Sequence, residues 1–263
     1  MFEKILTKTL GISFDANRFD FVKNRLKSMG WSEKRLEFSQ IANILLNPHN
    51  RDFHIIVDLL TVHETYFFRE YNQLEAFANQ ILNSYAKYKP DNAIRILSAG
   101  CSTGEEAYTL GIILKECLDN YDDFFVEIVG IDVSLPCIQK AQKAVYSKRS
   151  IKFTPEIYQN EYFEEINGLN RVRQELLPKI VFTQGSLMDA NILRNLGIFD
   201  FVFCRNVLIY FDQVQRFQIL NHFKKSMYPE GRLFLGHSES LLKYPELFES
   251  VDNNEIPIYR RAA

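Results

Sequence analysis

Cysteine, net charge and long apolar runs are all scarce in this sequence of 263 residues. Its 4 cysteines include no Cys-x-x-Cys pair, which argues against structural zinc. The sequence also lacks a signal-peptide pattern and any apolar run of membrane-spanning length, so we expect a cytoplasmic protein. A net charge of -2 and a sequence pI near 6.2 provide no general basic field, which argues against nucleic acid as the main partner.

Apolar and aromatic residues, by contrast, are plentiful. Hydrophobic residues make up 46% of the chain, with 22 Phe and 13 Tyr, which is enough for one α/β core and a smaller helical unit. Cys101 and Cys204 stand at predicted strand ends. A reactive thiol is one interpretation of each, and a buried, inert cysteine is the simpler one.

The stretch 94–114 reads as a strand, a glycine turn and a helix in direct succession. Gly100 and Gly104 let the backbone turn and approach a ligand closely. Their spacing differs from the Gly-x-Gly-x-x-Gly that seats a pyrophosphate, and the helix opens with Glu105 and Glu106, which would repel a phosphate. Such acids suit a cationic ligand such as S-adenosylmethionine and argue against an NAD-linked dehydrogenase. The alternative is a plain strand–helix turn whose two acids cap the helix.

A second buried strand ends in Asp132. In a doubly wound sheet, an acid at this position hydrogen-bonds the ribose of a nucleotide cofactor. The alternative role for Asp132 is that of N-cap to the next helix, although Ser134 offers a competing cap. Both interpretations place Asp132 at a strand end, and we favour the ribose.

The organisation of the chain changes near residue 88. Residues 1–88 show helical patterns without a convincing strand, which predicts an N-terminal helical domain. Strands alternate with helices over residues 89–263, which predicts a mostly parallel, doubly wound sheet that binds ligands at the carboxyl ends of its strands. Residues 146–178 fit neither a clean strand nor a long helix and are expected to form a small inserted subdomain. Pro229 and Gly231 are expected to turn the chain into a strand that begins at Arg232.

Five motifs occur in a characteristic order: TYFFRE at 65–70, SAGCSTGEEAYTL at 98–110, GID at 130–132, FCRNVLIYFD at 203–212 and GHSE at 236–239. Together they resemble the CheR family, the chemotaxis receptor glutamate methyltransferases. The likeness runs from about residue 10 to residue 260. It implies a class I methyltransferase domain, Rossmann-like, behind an N-terminal all-helical domain. It also implies transfer of a methyl group from S-adenosylmethionine to glutamate side chains of chemoreceptors.

The same resemblance implies roles for individual residues. Those expected at the cofactor are His63, Thr65, Arg69, Glu105 or Glu106, Asp132, Ser186, Leu187, Arg205 and Asn206. Asp132 is expected on the ribose, and Ser186 and Leu187 beside the adenine. Arg69 and Tyr210 are the expected catalytic residues, for which the alternatives are an interdomain ion pair and a core aromatic. No metal site is expected.

The implied partner is the cytoplasmic helical domain of a chemoreceptor, met by a monomer that reaches the membrane only through that receptor. His63 stands where the family commonly has asparagine, and Ala107 where proline is usual. The arginine pairs of the second N-terminal helix are reduced here to the basic residues Arg18, Lys23, Arg25 and Lys27. These four either meet an acidic receptor helix or form a solvated face.

Three functions stay open at this point. One is the receptor methyltransferase, another is a methyltransferase of the same fold that acts on a different protein, and the third is a catalytically idle cofactor sensor. Retention of Arg69, Arg205 and Tyr210 speaks against the idle sensor. The segment 162–176, YFEEINGLNRVRQEL, is short for a subdomain that tethers a receptor tail peptide. We therefore expect direct recognition of receptor helices through the four basic residues.

Overall fold

In a computed structural model, the described part of the chain comprises residues 16–32, 34, 36–45, 47, 50, 52–61, 63–251 and 256–262. Helices and strands occupy the N-terminal and C-terminal parts very differently. The helices before the first strand are α1 (Ala16–Ser28), α2 (Phe38–Leu45), α3 (Phe53–Leu60), α4 (Tyr71–Ala76), a π-helical segment (Phe77–Leu82) and α5 (Asn83–Ala86). The later helices are α6 (Glu105–Cys117), α7 (Leu135–Lys143), α8 (Glu156–Tyr162), α9 (Ala190–Leu196) and α10 (Gln213–Lys225).

The strands form one large sheet and one small sheet. They are β1 (Ala93–Ala99), β2 (Phe125–Asp132), β3 (Val145–Tyr146), β4 (Phe163–Ile166), β5 (Leu169–Val172), β6 (Lys179–Gln184), β7 (Phe199–Cys204), β8 (Met227–Leu235), β9 (Phe248–Ser250) and β10 (Ile258–Arg261). The large sheet has 7 strands in the order β6-β2-β1-β7-β8-β10-β9, parallel except for the pairings of β10. This confirms the predicted mostly parallel, doubly wound sheet of a class I methyltransferase.

The inserted subdomain is more regular than its sequence suggested. Its three strands pair antiparallel in the order β3-β5-β4, and α8 precedes the β4–β5 hairpin. The outer edge of this sheet, β4, is 4 residues long. The irregular charged pattern of 146–178 therefore hides a short hairpin, since each strand is too brief to show clear alternation.

The last parallel strand begins earlier than predicted. β8 starts at Met227, so Pro229 and Gly231 lie inside it and not in a turn before Arg232. The register against β7 shifts between Phe199 and Phe201, and a Cβ at Gly231 would lie 2.7 Å from the Asp200 carbonyl oxygen. A bulge accommodates Pro229 and Gly231 here, which is why these residues do not end the strand.

Packing divides the N-terminal part between two cores. The helices from Val22 to Leu60 share one apolar cluster, whereas Phe67 and the helical residues from Leu74 to Ala86 belong to the core of the large sheet. Phe77 packs edge-on against Phe201, Phe203 and Phe234. The domain boundary at residue 88 stays a prediction, and the packing favours a division within 61–66.

Three cysteines are buried free thiols: Cys101, Cys137 and Cys204. Burial raises the pKa of the Cys101 and Cys204 thiols well above its ordinary value, as expected for inert residues. No helix in the described part of the chain is long and apolar enough to cross a membrane.

Candidate active site

A cavity of about 350 Å³ opens at the carboxyl ends of the central strands. In the sheet register, Ala99 of β1 pairs with Ile131 of β2, and Ser98 pairs with Phe203 of β7. The residues just beyond these strands therefore meet at one edge. Of the residues expected at the site, those lining the cavity are His63, Thr65, Arg69, Glu106, Asp132, Ser186, Leu187, Arg205, Asn206 and Tyr210.

The turn after β1 brings backbone against the floor of this cavity. Gly100 adopts a φ of +76°, and its N–H and that of Cys101 donate to the Ile131 carbonyl oxygen at 2.8 and 3.0 Å. A Cβ at Gly100 would lie 2.5 Å from a Val207 methyl carbon. Glycine is thus required here by both conformation and space.

Asp132 is half-buried and is held by backbone donors. Its two carboxylate oxygens accept the Ser134 and Ser102 N–H groups at 2.9 and 2.8 Å, while burial raises the pKa of Asp132 above its ordinary value. The cap of α7 is Ser134, whose Oγ accepts the Cys137 N–H. The alternative role of Asp132 as that cap is therefore wrong, and its ribose role stays a prediction.

The two acids that open α6 face different surroundings. Glu106 lines the cavity, accepts the Ser98 hydroxyl at 2.7 Å and lies 3.4 Å from the Arg205 guanidinium. Glu105 is 1% exposed, accepts the Thr103 hydroxyl at 2.6 Å and does not line the cavity. Neither side chain caps the helix at Gly104. Of the two acids only Glu106 therefore lines the cavity, its cofactor contact stays a prediction, and neither acid caps the helix as the alternative required. Burial raises the pKa of both carboxyl groups.

Arg205 is buried between carboxylates. Its side chain is 3% exposed and forms ion pairs with Glu70 at 3.1 Å and Glu106 at 3.4 Å. The same guanidinium donates to the Arg69 carbonyl oxygen. Asn206 donates its side-chain amide to Glu70 at 3.1 Å. Burial by itself would raise the pKa of Glu70, but the neighbouring Arg205 charge outweighs burial and holds that pKa below its ordinary value. Arg205 and Asn206 thus tie the strand end to the 65–70 motif.

That motif is conformationally strained. Phe68 and Glu70 adopt positive φ angles of 57° and 55°, uncommon for residues with side chains. The Phe68 N–H donates to the buried Thr109 hydroxyl at 3.1 Å, which helps to hold this conformation. Between the two strained residues, Arg69 lines the cavity, donates to the Glu64 carbonyl oxygen at 2.6 Å and lies over the Tyr66 ring at 5.8 Å.

None of the ion pairs between described residues includes Arg69. The alternative of an interdomain ion pair for Arg69 is therefore not observed in this part of the chain. Tyr210 lines the same cavity at the end of a short 3₁₀ turn, Leu208–Tyr210, and also packs against two apolar clusters. Arg69 and Tyr210 consequently reach one cavity from different segments.

His63 lies at the other side of the cavity, where the N-terminal helices meet α7. Its Nε2 lies 2.8 Å from the Thr61 hydroxyl and 3.1 Å from Asp58 Oδ1, and its Nδ1 lies 3.1 Å from Cys137 Sγ. Burial lowers the pKa of His63, but the hydrogen bonds to Asp58 and Cys137 outweigh it and raise the pKa to about 10.

Two carboxylates that organise the site were not assigned roles from the sequence. Glu239, within the GHSE motif, accepts the N–H groups of Gly236, Asn206, Val207 and Ile209 at 2.8 to 3.2 Å. Glu70, within TYFFRE, binds Arg205 and Asn206. Membership of these motifs was the available signal, since partners 30 or more residues away, which are all but Gly236, cannot be read from spacing.

The donor set fits S-adenosylmethionine. The cavity combines the half-buried acids Glu106 and Asp132, which suit a ligand carrying sulfonium and ammonium charges. Two buried polar atoms near it, Ser102 Oγ and Arg205 Nε, have no hydrogen-bond partner within the described ranges. Such orphaned groups normally bond to a ligand or water. When bound, this cofactor supplies an electrophilic methyl group.

Comparison with known proteins agrees with this geometry. Residues 63–256 match the family profile described as CheR methyltransferase, SAM binding domain. The chain is 33% identical over 240 residues to chemotaxis protein methyltransferase 2 of Vibrio cholerae, covering 90% of this chain and 83% of that protein. It is 31% identical over 244 residues to the chemotaxis protein methyltransferase of Borreliella burgdorferi, covering 90% and 86%. The Escherichia coli chemotaxis protein methyltransferase is 31% identical over 242 residues, covering 90% and 82%. The chain therefore belongs to the CheR family of S-adenosylmethionine-dependent methyltransferases.

Proposed function

We propose that this protein transfers a methyl group from S-adenosylmethionine to glutamate side-chain carboxylates of chemoreceptors, forming glutamyl methyl esters. One observation carries the proposal: Arg69, which joins no ion pair between described residues, lines the same cavity as the acids Glu106 and Asp132. A cationic cofactor suits the acids, and an anionic substrate suits the arginine. The names of the chemotaxis methyltransferase relatives support this substrate class.

The proposed reaction needs no general base. A glutamate side chain is already ionised near neutral pH and can attack the methyl carbon in line. The chain must then supply placement and exclude water. Arg69 holds the attacking carboxylate through charge-assisted hydrogen bonds, and the Tyr210 hydroxyl orients that carboxylate or lines its path.

The remaining roles concern the cofactor. In this proposal Asp132 accepts the ribose hydroxyls, while Glu106 faces the positively charged part of the cofactor. Ser186 and Leu187 flank the adenine. His63, Thr65 and Arg69 close the cavity from the helical side, and Arg205 and Asn206 fix the opposite wall.

The test is transfer of a tritiated methyl group to membranes that contain chemoreceptors. We expect label that is released as methanol by base, which is the signature of a methyl ester. Label on another protein would support a different substrate, and an absence of transfer despite cofactor binding would support the idle sensor. Arg69→Ala should abolish most transfer, and Arg149→Ala is a suitable control because Arg149 is exposed and does not line the cavity.

We further propose that a monomer of this cytoplasmic enzyme docks directly on receptor helices through the basic residues of α1. Arg25 and Lys27 are exposed and Lys23 is half-buried, whereas the Arg18 side chain lies outside the described residues. Such docking should weaken as salt rises, since the screening length falls to about 3 Å at molar ionic strength. Methylation indifferent to salt and to alanine at these positions, or saturation by a receptor tail peptide at low micromolar concentration, would contradict it.

A further inference from the structure

Three metal-ligand side chains converge outside the proposed transfer chemistry. Asp58 comes from α3, His63 from the segment after it, and Cys137 from the first turn of α7. Cys137 Sγ lies 3.1 Å from His63 Nδ1, and Asp58 Oδ1 lies 3.1 Å from His63 Nε2. The ligand atoms offered by the three residues all lie within 4.8 Å of one another. Asp58 and His63 are half-buried and Cys137 is buried.

An ion bound by His63 uses only one of its ring nitrogens, so the separations that matter are those among one ligand atom from each residue, and these all lie within 4.8 Å. Bonds of about 2.3 Å to sulfur and about 2.0–2.2 Å to nitrogen and oxygen place the ligands of tetrahedral Zn²⁺ roughly 3.3–3.7 Å apart. The longest separation therefore has to close by about 1 Å when the ion binds. Thiolate, imidazole and carboxylate together are a ligand set that zinc accepts, whereas magnesium and calcium prefer oxygen alone.

We propose that Asp58, His63 and Cys137 form a Zn²⁺ site that links the N-terminal helices to the methyltransferase domain beside the cofactor cavity. The ion replaces the protons held by Cys137 and His63, and its fourth position is left for water.

Neighbouring residues already orient the ligands. The Ser134 hydroxyl donates to Asp58 Oδ1 at 2.7 Å, and the Thr61 hydroxyl lies 2.8 Å from His63 Nε2. With Nδ1, the nitrogen that faces Cys137, bound to the ion, Nε2 keeps the Thr61 hydroxyl as its hydrogen-bond partner, and Asp58 has to turn from Nε2 towards the ion. Because His63 itself lines the cavity, the proposed ion lies beside the cavity wall.

A hydrogen-bonded relay without metal is the competing explanation of this cluster, because the ring of His63 presents a different nitrogen to each neighbour. The two explanations differ in what they predict on addition of metal. A zinc site takes up one ion per chain through the thiolate, and the ion stabilises the fold by mass action. A relay takes up none.

The experiment titrates Zn²⁺ into the chelator-treated full-length protein by calorimetry, and repeats the titration with Co²⁺ by absorption spectroscopy. We expect one ion per chain, a higher Tm and a thiolate-to-cobalt charge-transfer band. Cys137→Ser and Asp58→Asn should each weaken binding by about 100-fold or more, exceeding the usual effect of outer-shell partners. Cys117→Ser is the matched control, because Cys117 is a partly exposed thiol outside the cluster.

Circular dichroism and S-adenosylhomocysteine binding establish that each variant is folded. If Cys137→Ser does not fold, the cobalt spectrum of the wild type and the titration of Asp58→Asn decide whether the zinc site exists. Wild-type uptake no tighter than that of a folded Asp58→Asn or Cys137→Ser variant would overturn the site, as would a cobalt spectrum without the thiolate band.

Discussion

Glu106→Gln should show how much of the binding free energy of the cofactor comes from its positive charge. S-adenosylmethionine carries a sulfonium, whereas its product S-adenosylhomocysteine has a neutral thioether in the same place. If Glu106 faces the positive part of the cofactor, the neutral glutamine should weaken S-adenosylmethionine binding much more than product binding. The substitution keeps the shape of the side chain and a hydrogen-bond acceptor for Ser98.

The magnitude follows from the partly buried surroundings of Glu106, whose side chain is 15% exposed. Two unit charges about 4 Å apart attract by about 4 kcal/mol at an effective dielectric constant of about 20. Arg205, 3.4 Å from Glu106, already offsets part of this attraction. We therefore expect a loss of about 1–2 kcal/mol, or roughly 5–30-fold in the dissociation constant of S-adenosylmethionine. Arg205 keeps Glu70 as its partner, so the variant should fold.

The assay is calorimetric titration of both ligands into wild type, Glu106→Gln and Glu105→Gln. Glu105 provides the matched control, because it is the neighbouring acid in the first turn of the same helix but does not line the cavity. Equal weakening of both ligands by Glu106→Gln, or the same preference in Glu105→Gln, would refute the placement of Glu106 against the sulfonium.

The remaining predictions concern binding, turnover and stability. Asp132→Ala should weaken S-adenosylhomocysteine binding by about 1–3 kcal/mol, measured by calorimetry, since ribose hydroxyls lose a buried partner; unchanged affinity in the folded variant would remove the ribose role. Arg69→Ala and Tyr210→Phe should lower kcat far more than cofactor affinity in the tritium assay, and wild-type turnover in both would show that neither is catalytic. Glu239→Ala should lower the free energy of unfolding by about 3 kcal/mol, and Tm by about 6–12 °C, because it strands four backbone N–H groups. A decrease in Tm of less than about 2 °C in a thermal melt would contradict this explanation.

The large sheet could be read from the sequence because each buried strand is an apolar run that ends at a recognisable residue. Asp132 and Arg205 directly follow apolar positions of β2 and β7, so parallel pairing alone brings them to one edge. The sequence could not show which of the two acids at the start of α6 lines the cavity. Consecutive helical residues point about 100° apart, so only one of Glu105 and Glu106 can face the cavity, and the motif does not say which.

Contacts between distant segments could not be predicted from the sequence. Zinc ligands are usually recognised by close Cys and His spacing, whereas Cys137 follows His63 by 74 positions. The expectation of no metal came from that spacing rule, and the proposed site at Asp58 now stands against it. The π-helical segment Phe77–Leu82 likewise follows from packing on the sheet and not from local preference.

Burial of several carboxyl groups makes the stability of the folded protein depend on pH. Burial raises the pKa of Glu106, Asp132 and Glu239 in the folded protein above the values of the unfolded chain. Each contribution to stability is then fully present below the unfolded pKa and is lost as pH rises through the folded pKa. The cofactor-free protein should therefore become less stable over that window, and Glu106→Gln should be more stable than wild type above it. A bound cation favours the ionised form of Glu106, so at a fixed ligand concentration Glu106→Gln should reduce the stabilisation by S-adenosylmethionine more than that by S-adenosylhomocysteine. Glu106, whose burial disfavours the cofactor-free protein above that window, is thus the acid that we propose selects a positively charged cofactor.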